Sequence, residues 1–207
     1  NQVISLAPSS LEKNDTSLEL EASRDHEFAT FLEDSVEDTV KPLSERQLAW
    51  GRWSNLVVPS DKVVSLAVDI TSSGKSPVLA DREFFLAKNK PIALPDTGVY
   101  RFSLHGGQAE YSLRGRNLPT RVMSGDLAIN LGADSFDSSI NFSNLEIVDA
   151  MLRFSGGVSE TGVLFFKDNQ SLVYGALSND LKEAAYSFKR SFADDTSITG
   201  ITLWDKQ

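Results

Sequence analysis

The chain has 207 residues, a formal net charge of −9 and no cysteine. That length fits one large all-β domain, or a domain with an appendage, and it can bury a core without crosslinks. The charge opposes a broad nucleic-acid or anionic-membrane footprint, and the missing cysteines exclude a disulfide framework or a thiolate metal site.

The acidity is unevenly placed. Residues 1–46 hold eleven Asp or Glu against four Lys or Arg, whereas residues 47–207 hold 18 against 16. The acidic stretch has isolated apolar residues and few β-branched ones, so it reads as a largely extended leader. A short helix is the alternative, since Thr30 and Glu33 have capping-box spacing and Phe28, Phe31 and Leu32 would share a helical face. Pro42 marks the boundary, because the residue before a proline is pushed out of helical geometry. The expected division is an acidic leader over 1–46 and a β-barrel domain over 47–207.

The domain opens with "LAWGRWSNL", residues 48 to 56. Read as a strand, it points Leu48, Trp50 and Arg52 one way and Ala49, Gly51 and Trp53 the other. Glycine inside a strand marks a bend or a close backbone approach, and a barrel needs bends where its first strand curls over the core. Gly51 and Trp53 are therefore expected to plug the barrel, with the ring covering the closing backbone.

Short runs of period two follow, separated by turn residues. "VVSLAVD" sets Val64, Leu66 and Val68 against Ser65, Ala67 and Asp69, and "EFFLAK" comes next. "GVYRFSLH" puts Tyr100, Phe102 and Leu104 on one face, and "QAEYSLR" does the same with Ala109, Tyr111 and Leu113. His105-Gly106-Gly107 between them reads as a hairpin turn. In "GDLAINLGADSFDSSINF", Leu127, Ile129 and Leu131 run out, "GADS" turns, and Phe136, Ile140 and Phe142 return. "LEIVDAMLRFSG", "TGVLFFKD", "SLVYGALS", "AAYSFKRSF" and "SITGITLW" complete the series. So many short strands, with no helical stretch between them, imply an antiparallel sandwich or barrel rather than a βαβ fold. No apolar run reaches the ~18 residues a membrane-spanning helix needs.

Catalytic chemistry finds little support. His26 and His105 lie outside any metal-ligand spacing, and there is no HExxH, EF-hand or G-x-S-x-G pattern. Ser10 with Lys13 and Ser72 with Lys75 match S-x-x-K without its partner motifs. Asp134 with Asp137, and Asp194 with Asp195, would bind calcium weakly, but aspartates at turns ordinarily cap the backbone. No catalytic residue, metal or cofactor is expected. The aromatic set Phe84, Phe85, Tyr100, Phe102 and Tyr111 fills a core or lines a ligand cup. For a haem, His105, Tyr100 and Tyr111 are the axial candidates. Arg114, Arg116 and Arg121 surround a loop containing Pro119 and are the partner-binding candidates, suited to an acidic partner or to the chain's own leader.

Gly51-Arg52-Trp53 matches the Gly-x-Trp that opens lipocalin-type barrels, although "GITLWDKQ" lacks the arginine that family carries near its last strand. "SLVYGALSNDLKEAAYSF" resembles the final hairpin of transferrin-binding-protein-B-like barrels. An aromatic-Gly pair and a short acidic turn precede Glu, small residues and an aromatic, here Tyr174, Gly175, Glu183, Ala184, Ala185 and Tyr186. Ala184-Ala185 stands where that family has a glycine pair. "WGRW", "VYGALSND", "EAAYSF" and "ITGITLW" together resemble the C-terminal barrel region of FecR-domain-containing envelope proteins of Gram-negative bacteria, without the FecR domain itself.

These resemblances imply an all-β chain: an antiparallel β-barrel of about eight strands, lipocalin-like or transferrin-binding-protein-B-like, with an acidic N-terminal extension. They imply a bacterial cell-envelope location, periplasm or cell surface. The expected function is a non-catalytic module that binds a protein partner or cell-surface component through loops and outer faces. The alternative is a lipocalin-like carrier of a small apolar ligand or haem, which requires a cavity rather than a filled interior. The phenylalanines on alternating strands favour filling.

Overall fold

The computed structural model describes residues 27–30, 46–53, 63–81, 83–142, 151–193 and 195–207, excluding the side chains of 27–30 and 63–67. The first elements are strands β1 (Glu27–Thr30), β2 (Leu48–Trp53) and β3 (Val63–Leu66), helix α1 (Ala67–Ser72), and strands β4 (Lys75–Ala80) and β5 (Phe84–Asn89). Their five strands form one antiparallel sheet in the order β3-β1-β2-β5-β4. Val63–Leu66 is thus a strand as expected, but the run then turns into a helix, an element the period-two reading did not include.

Strand β2 is buried along its whole length, and β5 is buried except at Asn89. One face carries Ala49, Trp53, Phe85 and Ala87 against Ile70 of α1 and Ala80 of β4. The Trp53 and Phe85 rings lie 5.5 Å apart, and Trp53 Nε1 donates to Asp81 O at 2.6 Å. The other face carries Leu48, Trp50, Phe84 and Leu86. Gly51 and Trp53 therefore do not plug a barrel. They belong to a separate sheet, and the barrel begins only at Val99, beyond the expected start at residue 47.

That barrel is closed and consists of β6 (Val99–Leu113), β7 (Arg116–Asn130), β8 (Ser135–Phe142), β9 (Met151–Val158), β10 (Val163–Lys167), β11 (Ser171–Leu177), β12 (Glu183–Ser191) and β13 (Thr196–Lys206). Around the barrel the strands run β10-β11-β12-β13-β6-β7-β8-β9, with β9 paired to β10. A 3-10 turn at Leu131–Ala133 links β7 to β8 and ends at Asp134 in the left-handed region (φ 47°), so the "GADS" turn falls where the alternation puts it. The turn expected at His105-Gly106-Gly107 does not form. Both flanking runs fuse into the single strand β6, and His105 sits at a bulge opposite Leu203 and Trp204. The glycine at 107 serves close packing instead, because a Cβ there would lie 2.9 Å from Ile201 O.

Alternating residues of the eight strands fill the interior. Phe102, Phe136, Phe154, Phe188, Tyr186 and Trp204 are all at most 2% exposed. Tyr186 stacks on Trp204 at 5.5 Å and packs edge-on to Phe188 at 6.4 Å, and Phe188 meets Phe154 at 6.0 Å and Phe142 at 5.9 Å. The polar atoms among these rings are paired: Trp204 Nε1 donates to Thr202 Oγ1 at 2.8 Å, and the Tyr186 and Ser138 hydroxyls bond at 2.5 Å. Burial raises the Tyr186 phenol well above its ordinary pKa, so it stays protonated.

The small sheet lies on the barrel's outer wall. Its Leu48, Trp50, Phe84 and Leu86 pack against Ala176, Ala185, Ile201 and Leu203 from β11, β12 and β13. Polar ties border this seam: Arg46 to Glu183 at 2.9 Å and Arg52 to Glu110 at 3.0 Å. Lys88, fully buried, donates to the carbonyls of Thr161 at 2.7 Å and Leu177 at 2.8 Å. Desolvation lowers its pKa from 10.5 to about 8. Between those two values the unfolded chain keeps a proton the folded chain has released, so this lysine makes stability rise with pH there. Wild type is expected to gain stability over Lys88→Met between about pH 8 and 10 in urea titrations, a range set by that lowered pKa. A constant difference across that range would contradict the buried, desolvated ammonium.

Candidate functional site

With the interior filled by its own rings, the surfaces left for binding are outside. The chain joins β6 to β7 by a two-residue turn, Arg114 (φ 48°) and Gly115 (φ 78°), the paired positive φ of a tight hairpin. The loop expected around Pro119 is therefore strand, with Pro119 opposite Glu110 and Arg116 opposite Leu113. Among the described residues β8 pairs with β7 from Val122 onward, while β13 follows β6 as far as Leu113, next to the turn. Arg114, Arg116 and Arg121 are all exposed on the β6–β7 hairpin. Arg116 and Leu118 continue, toward the turn, the row that carries the buried Thr120 and Val122 inside. Leu118 is 47% exposed there, and Met123, in the bulge between Val122 and Ser124, is 55% exposed. The hairpin thus carries a mixed basic and apolar surface on an acidic chain.

A second outer feature was not anticipated. Phe165 on β10 faces Tyr174 on β11 in direct register, rings edge-on at 6.1 Å, with Phe165 47% exposed. Leu172, 40% exposed, lies in register between Lys167 and Lys189. The signal was in the runs "VLFF" and "SLVYG", whose consecutive apolar residues put some on each face of a strand.

The proposed haem ligands do not converge. His105 pairs with Asp205 through Nδ1 at 2.5 Å, Tyr111 is buried in the core, and Tyr100 lies under the Lys206 ammonium, 5.0 Å from its ring centre. The hydrogen bond from His105 holds the Asp205 carboxyl below its usual range. The aromatic set divides between cores: Phe84 faces the seam, Phe85 faces α1, and Tyr100, Phe102 and Tyr111 belong to the barrel. Asp137 accepts from Ser155 at 2.6 Å while Asp134 ends the turn, and Asp194 lies outside the described residues. No helix among the described residues is long and apolar enough to cross a membrane. On β8 the apolar residues Phe136, Ile140 and Phe142 face in and Asp137, Ser139 and Asn141 face out, the reverse of a membrane barrel.

No protein-family model and no curated protein matches the sequence. Among solved structures the chain is similar to a mutant transferrin-binding protein B from Haemophilus parasuis, with a TM-score of 0.49 and 9% identity over 78% of this chain and 33% of that one. It is similar to the isotype 1 transferrin-binding protein B of serogroup B Neisseria meningitidis, with a TM-score of 0.47 and 6% identity over 78% and 31%. The N-lobe of lactoferrin-binding protein B from Moraxella bovis gives 0.41 and 8%, over 97% and 87%. The chain thus spans about a third of the length of these two transferrin-binding proteins.

Native mass spectrometry of the freshly purified chain should give its bare mass, and a co-purifying apolar compound would show instead that the rings leave room for a ligand. Replacing Arg114 and Arg116 singly with Ala should each change stability by no more than about 0.5 kcal/mol in urea titration, as exposed substitutions do.

Proposed function

We propose that this chain is a non-catalytic binding module of the bacterial envelope that engages a protein partner or cell-surface component through the β6–β7 hairpin. The observation that carries the reading is the hairpin itself. It exposes Arg114 at its turn, Arg116 and Leu118 on one face, and Arg121 and Met123 on the other, while the barrel interior is occupied by side chains of the chain itself. Arginine and exposed apolar groups together suit a docking face, where the apolar part supplies affinity and the charges supply orientation and fast encounter. Three arginines within eight residues, on a chain whose net charge is −9, select an acidic partner surface. The resemblance of "WGRW", "VYGALSND", "EAAYSF" and "ITGITLW" to barrels of FecR-domain-containing Gram-negative proteins supports the envelope location, in the periplasm or at the cell surface.

The test is to immobilise the full chain and expose it to solubilised envelope proteins at low salt, beside the Arg114→Ala, Arg116→Ala, Arg121→Ala variant. The wild-type chain should retain a defined acidic protein or surface component that the variant loses. Exposed charges act over a Debye length of about 8 Å at physiological ionic strength, so retention should fall as salt rises. Equal retention by both chains would remove the hairpin from the binding account.

A further inference from the structure

We infer that the chain's own residues 17–22, "SLELEA", dock on the basic β6–β7 hairpin and compete there with the external partner. This deepens the reading of the hairpin as a docking face, but the contact can be tested with no partner present.

Three observations lead to it. The first is where β1 enters the small sheet. Arg46, just before β2, pairs with Glu183 at one end of the barrel, and Arg52, near the end of β2, pairs with Glu110 toward the other. Thr196 and Leu113 are register partners at that second end, and Leu113 directly precedes the hairpin turn. Strand β2 thus runs toward the hairpin. β1 is antiparallel to β2, with Phe28 opposite Trp53 and Ala29 opposite Arg52, so the N-terminal end of β1 is the end nearest the hairpin. Residues 1–26 join the sheet there.

Reach is the second. Glu110 and Arg114 lie four positions apart on a strand and its turn, about 13 Å at ~3.3 Å per residue. The four residues between position 22 and β1 give five residue steps, up to about 17 Å when extended. Positions 17–22 can therefore meet the hairpin from that entry point.

Third is chemical fit. Residues 1–26 carry Glu12, Asp15, Glu19, Glu21 and Asp25 against Lys13 and Arg24. Within them, Leu18 and Leu20 alternate with Glu19 and Glu21, a period-two pattern that offers leucines on one side and carboxylates on the other. The hairpin offers the complement in Leu118 with Arg116 on the same face of β7 and Arg114 at the turn. No salt bridge holds Arg114 or Arg116 to another described residue.

The absence of cysteine allows a direct measurement. In the full chain, Ala22→Cys and Asn117→Cys are introduced together, leaving the leucines, glutamates and arginines in place. Disulfide formation is then followed in oxidised glutathione on non-reducing gels. The pair should close within one chain, and Arg114→Glu with Arg116→Glu should slow closure by about tenfold, as loss of ~1.4 kcal/mol of attraction would. Adding Glu19→Arg and Glu21→Arg to that reversed hairpin should restore the rate, since swapped charges regain the attraction if the two segments touch. Closure at the same rate in all three charge backgrounds would mean that tethering alone brings the cysteines together, and would overturn the inference. So would failure to close in the wild-type background. A negative result here leaves envelope capture by the hairpin standing. A positive trap without capture would leave the hairpin with an internal partner only.

Discussion

The stack of Tyr186 on Trp204 sets the terms for the rest of the molecule. Two large rings 5.5 Å apart on neighbouring strands occupy the barrel, and their polar atoms are consumed internally by Thr202 and Ser138. The strands make room for them. Gly125 on β7 is smooth where Trp204 lies, since a Cβ there would fall 2.8 Å from the indole and 2.5 Å from Ser139 O. The bulge on β6 at His105 and the one on β7 at Met123 shift which residues face inward, so each strand keeps apolar residues inside along its length. A filled interior removes the site where a barrel most readily holds a small molecule, and it moves recognition to the rims and walls.

Those walls are partly taken. β2 and β5 press Leu48, Trp50, Phe84 and Leu86 onto β11, β12 and β13, and this demands small or aliphatic residues facing outward there. Ala176, Ala185, Ile201 and Leu203 meet that demand, and Lys88 satisfies two backbone carbonyls, of Thr161 and Leu177, at the seam's edge. Outside the covered wall, Leu118 and Met123 on the β6–β7 hairpin and Phe165 beside Tyr174 are among the apolar side chains in contact with water.

The period-two runs made the barrel legible, because inward rows such as Leu127 with Ile129 and Phe136 with Ile140 and Phe142 alternate with polar or small residues on the outer face. The strands with Phe165 and Leu172 depart from that alternation. The small sheet was not legible by the same rule. "LAWGRW" and "EFFLAK" carry apolar residues on both faces, which is the mark of a strand covered on both sides, and alternation alone cannot say which sheet such a strand joins. Trp53 followed from that: its partner is Phe85 in the same sheet, a contact between residues 32 positions apart that periodicity does not encode. His105-Gly106-Gly107 misled because glycine serves close packing as well as turns, whereas the true turn, Arg114-Gly115, has arginine at a position where asparagine or aspartate usually signals one. The three arginines themselves were found from the sequence; their display on one hairpin required the register.

A filled barrel is the claim on which the functional account turns, and overpacking tests it most directly. Ala184 is fully buried inside the barrel, in register with Trp204 on β13 and Leu177 on β11. Equilibrium urea unfolding of Ala184→Phe should show a loss of roughly 1–3 kcal/mol or more, because a close-packed interior has no volume for the added ring. An unchanged or raised stability would show open space beside the tryptophan, and the chain would then be read as a carrier.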